Sequence, residues 1–306
     1  MKAFEREIAV ERAGSPGSNG DGTISFRGDL SEEWCALSVP QGGIVTGLAA
    51  RAMHTALELP DVALRSITSV FAAPVRTGPV EIDVNVLRRG RSMAQATATV
   101  RSEGETAGTT AVAVFGAPRA GFEFTDLEVP DAPSPEESHS FRDGPPPEVD
   151  LEMEHTPFAY WEHHVEGRAA VGHAPWEDFE PTTSERMFWY RFDDPPYLAD
   201  GRLDPLALLT LCDTMPGAVG ERMGGGLPEW YAPSADITVH VLNDHRAEWV
   251  LARNRARHAG DGYASLEVEL WDAESRTLSA YATQLMIFTF PGGPPAPEMR
   301  VPRDLR

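Results

Sequence analysis

The chain has 306 residues, of which 42% are hydrophobic, so it is long enough to bury a sizeable core in one or two domains. Its 47 Asp and Glu residues outnumber its 26 Lys and Arg residues, and the resulting net charge of -21 repels a nucleic-acid backbone. No stretch approaches about 18 consecutive apolar residues, and the polar start of the chain does not match a secretory signal. We therefore expect a cytoplasmic protein with no nucleic-acid partner and no membrane insertion.

The first half of the chain predicts one buried helix followed by a set of strands. Ile44, Leu48, Ala52 and Met53 fall at helical spacing and predict a mostly buried helix over roughly 42–58. Four runs of β-branched and alternating apolar residues follow, joined by turns that contain glycine. These runs predict antiparallel strands over 66–72, 80–88, 93–101 and 106–115.

Two segments of the chain have a composition that is typical of linkers. Residues 130–150 are rich in Pro, Asp, Glu and Ser and offer almost nothing to bury. Residues 291–306 are rich in proline and predict a flexible tail. We therefore divide the chain into an N-terminal unit (1–129), a linker (130–150), a C-terminal unit (151–290) and the tail.

The second half repeats the order of elements of the first. A helix is predicted over 204–219, and it is followed by strands predicted over 235–242, 248–257, 263–271 and 278–290. Gly90 aligns with Gly260 and Phe115 with Phe288 at nearly constant separation. The chain therefore contains two copies of one unit, each with a short strand, a long helix and about four long strands. We expect the two sheets to join edge to edge, with both helices on the same side.

This pattern resembles a known family over residues 20–120 and, more loosely, over 155–290. The segments FRGDLSEEW, PQGGIVTGLAARAM and LRSITSVFAAPVRTGPVEIDVNV are similar, in order and spacing, to the first hotdog unit of the acyl-CoA thioesterase II family. Members of that family are double-hotdog enzymes that hydrolyse fatty acyl-CoA thioesters. The resemblance implies an α+β fold of two tandem hotdog units, each with a long helix wrapped by an antiparallel sheet.

Asp213 is an acidic residue in an otherwise apolar helical pattern. Counting from Leu206 through Leu209 to Asp213 gives steps of three and four, which places the carboxylate on or beside the apolar stripe. The burial of a charge is costly unless the charge is hydrogen-bonded or useful. The first copy's helix contains no acid at all. Asp213 is therefore either a helix-face residue satisfied by a nearby hydroxyl or a functional group.

Gln284 and Ser234 are two further polar residues at the predicted strands. Gln284 shares a strand face with Ala282 and Met286, and the first copy has Ala111 at the aligned place. Its amide either bonds to the backbone or holds a water molecule while contacting another side chain. Ser234 opens a strand after a proline, which taken alone is weak evidence for function.

The family resemblance assigns a joint role to these residues. In the thioesterase II family an Asp on the second helix, a hydroxyl residue at the start of the next long strand and a Gln on the last strand orient a hydrolytic water. Asp213, Ser234 and Gln284 occupy the matching places, although the family pattern has Thr where this chain has Ser234. Thr238 is the alternative hydroxyl. Such a trio supports general-base hydrolysis of a thioester.

Two pairs of residues are candidates for substrate binding. Gly42 and Gly43 open the first helix, where free N–H groups favour a developing oxyanion and glycine allows close approach; the alternative is that they serve only packing. Arg253 and Arg255 share one strand face and are candidates for the CoA phosphates, although arginines are also common on exposed strands. Because acyl carrier proteins are themselves acidic, free acyl-CoA suits this acidic chain better as a partner.

Cysteine and histidine patterns predict no metal and no other cofactor. Cys35 and Cys212 are too few for a disulfide framework or a metal cluster, and a reducing compartment fits them. His163 and His164 are adjacent, and His240 lacks companions at ligand spacing. We therefore expect catalysis by side chains alone.

The sequence favours an acyl-CoA thioesterase of lipid metabolism that forms a homodimer or a higher homo-oligomer. One alternative is a hotdog hydratase or dehydratase that acts on acyl thioesters, since Asp236 and His240 faintly resemble the Asp and His of such enzymes. Another alternative is a catalytically silent double hotdog that binds an acyl ligand. An α/β-hydrolase is excluded because the sequence has no Gly-x-Ser-x-Gly motif.

Overall fold

The computed structural model describes residues 1–14, 22–143, 158–174, 177–214 and 217–305. The helices are α1 (Ala3–Glu7), α2 (Gly42–Leu57), α3 (Ala159–His163), α4 (Ala207–Cys212) and α5 (Gly217–Met223). The strands are β1 (Glu11–Arg12), β2 (Ile24–Leu30), β3 (Cys35–Ala36), β4 (Val39–Pro40), β5 (Ala63–Phe71), β6 (Gly78–Arg89), β7 (Met93–Ser102), β8 (Thr109–Gly116), β9 (His139–Ser140), β10 (Val165–Val171), β11 (Glu185–Phe192), β12 (Ser234–Val241), β13 (Val250–Gly260), β14 (Tyr263–Asp272) and β15 (Thr277–Ile287). Among these helices, none has the length and apolar character that a membrane span requires.

Thirteen strands form one antiparallel sheet in the order β1-β2-β6-β7-β8-β5-β12-β15-β14-β13-β11-β10-β9. The two halves meet at the pairing of β5 with β12, where Thr68 lies opposite Thr238 and their Oγ1 atoms are 3.0 Å apart. The helices α2 and α4 contact each other as well as the sheet. The prediction of an α+β double hotdog with one continuous sheet is confirmed.

The first half wraps its sheet around the apolar helix α2. This helix contacts β6, β7 and β8. On β6 the alternate residues Val80, Ile82 and Val84 are buried, and on the neighbouring strand β7 Ala96 and Ala98 are buried on the same face. The small alanines allow the helix to lie close to the strands. Most α2 side chains are buried, and the polar residues Arg51, His54 and Thr55 form one narrow, partly exposed stripe near its C-terminal end.

The second half differs because its helix is interrupted, and the prediction of a single helix over 204–219 is wrong. Helix α4 ends at Cys212, and Asp213 leaves the helical region with φ -93° and ψ 52°. The hydroxyl of Thr214 donates to the carbonyl of Leu211 at 2.8 Å, which satisfies one of the freed acceptors. A second helix, α5, begins at Gly217.

Part of the predicted linker is packed against the second half. Strand β9 pairs with β10, and the indole N–H of Trp189 donates to the carbonyl of Pro133 at 2.8 Å. Val129 and Ala132 pack with Trp271 on the face of the sheet that is turned away from the helices. The expectation that 130–150 buries almost nothing is therefore wrong for its described residues. Residues 144–157, which include the rest of the linker and the start of the C-terminal unit, lie outside the described residues.

The tail contacts the second half, and both cysteines lie in the core. Tail residue Asp304 forms an ion pair with Arg222 of α5 at 2.9 Å, while the flexibility of 291–306 and the unit boundaries stay predictions. Both cysteines, Cys35 and Cys212, are free and buried.

Candidate active site

Gln41 joins the start of α2 to the end of α4. It is the N-cap residue of α2, and its Oε1 accepts from the N–H of Ile44 at 3.2 Å. Its Nε2 donates to the carbonyls of Thr210 at 2.7 Å and Asp213 at 3.1 Å. One buried side chain thus satisfies both helix ends, and the site therefore contains residues from both halves. Gln41 directly precedes the glycine pair, but no pattern in the sequence indicates its contacts with the other half.

The two glycines after Gln41 allow this close contact between helices. A Cβ atom on Gly43 would lie 2.4 Å from the carbonyl oxygen of Leu209, and a Cβ atom on Gly42 would lie 2.8 Å from Oδ2 of Asp213. Only glycine avoids both clashes. The N–H of Gly43 donates to Oδ2 of Asp213 at 3.1 Å. That this glycine pair also contacts the substrate stays a prediction.

Asp213, Ser234 and Gln284 come together, as the sequence predicts. Nε2 of Gln284 donates to Oδ1 of Asp213 at 2.6 Å and also contacts Oγ of Ser234. Oγ of Ser234 donates to the same Oδ1 at 3.2 Å. Together with Gly43, these donors come from three parts of the fold, namely α2, β12 and β15. The carboxylate is therefore held in one orientation.

A β-bulge brings Ser234 to the inner face of the sheet. Ile237 and Val239 are buried on that face, and strict alternation from them would turn Ser234 outward. The pairing of β12 with β15 shifts between Ser234 and Asp236, so that Ser234 lies opposite the fully buried Met286. The bulge therefore positions the hydroxyl next to Asp213.

An equivalent bulge in the first half corrects the alignment of Gln284. The pairing of β5 with β8 shifts between Leu64 and Ser66. In the first half, Ile67 lies three residues after Leu64 and pairs with Ala113. In the second half, Ile237 lies three residues after Ser234 and pairs with Gln284. The counterpart of Gln284 is therefore Ala113. The sequence alignment predicted Ala111, which is wrong.

Two opposing effects set the pKa of Asp213. Burial favours the neutral acid and is the larger effect, whereas the hydrogen bonds from Gln284, Gly43 and Ser234 favour the carboxylate. The balance raises the pKa to about 6. This carboxylate is ionised at neutral pH, yet it accepts a proton more readily than an ordinary Asp does.

One acceptor in the site is unused. Oε1 of Gln284 is buried and has no hydrogen-bond partner among the described residues. Buried polar atoms in proteins almost always have a partner, which is often an ordered water. The free amide oxygen next to Asp213 is therefore a position at which a water molecule or a substrate group can donate a hydrogen bond.

Thr238, the alternative hydroxyl, lies on the other face of the sheet. Its neighbours Ile237 and Val239 are buried on the inner face, and its own Oγ1 contacts Thr68 across the junction of the two halves. Ser234 is therefore the β12 hydroxyl that contacts Asp213.

Arg253 and Arg255 lie on the face of β13 that is opposite the helices, and carboxylates of the same sheet pair with both. Nε and Nη2 of Arg253 donate to Oε2 of Glu185 at 2.9 and 2.7 Å. Nε of Arg255 lies 2.7 Å from Oε1 of Glu267, and its Nη2 contacts the fully buried Glu269. That these two arginines bind the phosphates of CoA stays a prediction.

Within the described ranges, no group of three or more His, Cys, Asp or Glu side chains is arranged to hold a metal ion. Two open surface clefts lie away from the trio, one beside Trp271 and Leu278 and the other between Trp34 and His164. Hydrogen-bond geometry, and not the shape of the surface, therefore identifies the candidate site.

Family models cover most of the chain. Residues 30–116 match the acyl-CoA thioesterase N-terminal domain, and residues 130–288 match the acyl-CoA thioesterase C-terminal domain. A comparison with curated protein sequences finds no significant match.

Solved structures with the same fold cover nearly the whole chain. A conserved hotdog-fold protein of unknown function from Alicyclobacillus acidocaldarius is 25% identical with a TM-score of 0.72, covering 95% of this chain and 99% of its own. The acyl-CoA thioesterase II TesB2 from Mycobacterium marinum is 19% identical with a TM-score of 0.65, covering 96% and 100%. The tesB protein of Mycobacterium avium subspecies paratuberculosis is 16% identical with a TM-score of 0.67, covering 94% and 98%. The matched domains and the shared fold show that this chain belongs to the acyl-CoA thioesterase family.

Proposed function

We propose that this protein hydrolyses acyl-CoA thioesters to a free acid and CoA, with Asp213 as the general base. The observation that carries this proposal is the Asp213 carboxylate at the contact of the two halves, held by Gln284, Ser234 and Gly43. Its raised pKa, about 6, suits proton transfer near neutral pH. The membership of the acyl-CoA thioesterase family supports the substrate class.

The first chemical step is the attack of water on the thioester carbonyl carbon. The water donates one hydrogen bond to the free Oε1 of Gln284 and the other to the carboxylate of Asp213, which takes that proton as the new C–O bond forms. The electron pair of the C=O bond moves to oxygen and gives a tetrahedral oxyanion. Ser234 and Gln284 hold the carboxylate in place during this step.

The second step is the loss of CoA. The oxyanion reforms its C=O bond, the C–S bond breaks, and the proton on Asp213 passes to the leaving sulfur. This restores the carboxylate and releases the acid and the CoA thiol. The N-terminus of the 16-residue helix α2 points its positive end at Asp213, to which the N–H of Gly43 donates, so it favours the carboxylate that this step restores.

The structure gives no support to the residues that suggested a hydratase. Asp236 accepts a hydrogen bond from the N–H of Leu285 at 3.1 Å, and His240 is exposed. On β12 both residues alternate with the buried Ile237 and Val239, so their side chains lie on the outer face of the sheet. Neither side chain therefore contacts the trio.

Free-thiol release from acyl-CoA tests the proposed reaction. We expect wild-type protein to release the thiol from saturated acyl-CoA, and Asp236→Asn and His240→Ala to stay within about twofold of wild type, because such outward substitutions have small effects. The same proteins are then tested for the loss of enoyl absorbance with enoyl-CoA. Enoyl loss that depends on Asp236 or His240, without thiol release, would establish the hydratase instead. Binding of acyl-CoA without either reaction would establish the silent ligand-binding protein.

A further inference from the structure

Phe71 is an aromatic residue at the end of the inner face of β5. Ile67 and Ser69 are buried on that face, and strand alternation continues the face to Phe71, the last residue of the strand. The Phe71 side chain is half-buried and packs against the core. It therefore lies where the interior between the sheet and the helices meets solvent.

The register of the two central strands brings Phe71 next to the candidate site. Strand β5 runs antiparallel to β12, with Val70 opposite Asp236. The next step of this register places Phe71 beside Ala235, which directly follows Ser234 in the bulge of β12. An aromatic residue of the first half thus borders the strand end that carries the hydroxyl of the second half.

The space above Gly42 shows how closely Phe71 approaches the carboxylate. A Cβ atom on Gly42 would lie 2.8 Å from Oδ2 of Asp213 and also 2.8 Å from Cζ of Phe71. Its distance from Cε1 of Phe71 would be 3.0 Å. The edge of the ring and the carboxylate oxygen therefore border the same point and are neighbours across it.

Exclusion of water, more than a neighbouring charge, raises the pKa of Asp213. Burial is the largest cause of the raised pKa, and hydrogen bonds from its neighbours oppose it. The titratable groups that interact electrostatically with Asp213 are the phenol of Tyr160 and the thiol of Cys212, and burial raises the pKa of each. Both groups are therefore uncharged at neutral pH. The basicity of Asp213 consequently depends on what keeps water away from it.

Phe71 is placed to provide part of this exclusion. Asp213 and Phe71 are both half-buried as residues, so the boundary with solvent lies close to the carboxylate. The three groups that donate to the carboxylate are polar, whereas the edge of the Phe71 ring brings apolar surface. An apolar group next to an ion removes water without offering a hydrogen bond in exchange, and it therefore favours the neutral acid.

The second half differs at the equivalent place. Counting from the two equivalent bulges, the counterpart of Phe71 is Val241. At the opposite end of the contact between α2 and α4 the acid is Asp204, and Nη2 of Arg51 donates to its Oδ2 at 2.6 Å. One acid at the helix contact is thus paired with a cation, whereas Asp213 lies beside an aromatic ring.

We propose that Phe71 is a positioning residue of the active site, whose ring keeps solvent water away from the Asp213 carboxylate and so preserves its capacity to accept a proton. This inference rests on the proposed thioesterase function, in which Asp213 is the general base. The ring acts through Asp213 and takes no part in a bond-making step. The first half therefore contributes an apolar shield as well as the N–H groups of its helix start.

Phe71→Val introduces the residue of the second half and admits water to the carboxylate. Because water stabilises the ionised form, the pKa of Asp213 falls from about 6 toward its ordinary value. In the pH profile of kcat/KM for thiol release, we expect the acidic limb to move down by about one pH unit. A weaker base also lowers kcat on the plateau, by about threefold to tenfold. Phe71→Leu keeps apolar surface at this place and moves the limb by less.

Val241→Ala is the matched control, since it shortens the equivalent side chain of the second half and leaves the surroundings of Asp213 intact. We expect it to keep the acidic limb of wild type. Infrared titration of the carboxyl band that Asp213→Asn removes measures the same shift of pKa without turnover. Phe71→Leu is the more conservative change and provides both measurements if Phe71→Val does not fold.

The outcomes separate this inference from the proposed function. If wild-type protein releases no thiol from any acyl-CoA, the thioesterase proposal fails and the role of Phe71 fails with it. If thiol is released but the acidic limb of the Phe71 variants stays where it is in wild type, whether or not kcat falls, the ring serves packing alone. The inference is then wrong and the thioesterase proposal stands. An equal shift of the limb in Val241→Ala would also overturn it.

Discussion

The two halves share one fold but differ where their helices meet. In the first half α2 runs without interruption for 16 residues and begins with two glycines. In the second half α4 has only 6 residues and is followed by Asp213, which leaves the helical conformation. The sheet positions that hold Ser234 and Gln284 in the second half hold Leu64 and Ala113 in the first.

This difference shows how one duplicated unit can form a single site from both copies. The second half provides the acid, the hydroxyl and the amide, while the first half provides a helix start small enough to approach them. Gln41 of the first half also binds the carbonyl of Asp213. Changes in the first half should therefore alter the chemistry of a carboxylate that belongs to the second.

Gly43→Ala is expected to have the largest effect among changes in the first half. The added Cβ would lie 2.4 Å from the carbonyl oxygen of Leu209, so α2 and α4 must separate. The hydrogen bond from the backbone N–H of residue 43 to Asp213 is then lost. We expect a loss of about 2 kcal/mol in the free energy of unfolding and a fall in turnover of about 10²-fold. Gly47→Ala on the same helix is the control, because its nearest neighbour would be 3.5 Å away. Equal effects of the two substitutions would show that the close contact of α2 with α4 at Gly43 does not matter for activity.

Gln284→Ala removes the amide that donates to both Asp213 and Ser234. We expect kcat to fall by about 10²-fold, about 2.7 kcal/mol of transition-state stabilisation, while the protein stays folded. Thr283→Ala, on the exposed face of the same strand, is the control in the same assay of thiol release. Retention of activity in Gln284→Ala would mean that this amide is structural only.

Substitutions of Ser234 test how the hydroxyl acts. Ser234→Ala should lower kcat by about tenfold, because one donor to Asp213 is lost. Ser234→Thr should preserve or raise activity, since a β-branched hydroxyl is confined to fewer rotamers. Thr238→Val should have little effect because Thr238 lies on the other face. Loss of activity only in Thr238→Val would reverse this assignment.

The smallest expected effect is the change in wild-type kcat/KM when the pH is lowered from 7 to 6. Asp213 must be ionised to accept a proton, and its folded-state pKa is raised to about 6. Activity is therefore present above that pH, falls to about half at pH 6, and declines as the pH is lowered further. A profile that stays flat down to about pH 4, the range of an ordinary Asp, would show that the base is not a buried carboxylate.

Much of the fold was predictable because its signals are local. The helix predicted over 42–58 is observed at Gly42–Leu57, and every predicted long strand is present with shifts of a few residues at its ends. Alternation and helical spacing determine which residues can be buried, and the repeated order of elements indicates the duplication. The contact of Asp213 with Ser234 and Gln284 was also expected from the sequence, in part through the family resemblance, while their catalytic role stays a prediction.

The remaining features depend on contacts between distant parts of the chain. No local pattern indicates the bulge after Ser234 or the role of Gln41, whose partners lie in the other half. The helix over 204–219 was predicted too long, because apolar spacing continues through the break at Asp213. The pairing of Arg253 with Glu185 joins β13 to β11, two strands that are far apart in sequence.

Asp213→Asn tests the central claim most directly, because it keeps the shape of the side chain and removes its capacity to accept a proton. The measurement is the single-turnover rate of thiol release from the best acyl-CoA, alongside circular dichroism as a check on folding. We expect the rate to fall by about 10²-fold or more, about 2.7 kcal/mol, in a protein that stays folded and still binds the substrate. A folded Asp213→Asn protein that hydrolyses acyl-CoA at a rate near that of wild type would contradict the assignment of Asp213 as the general base.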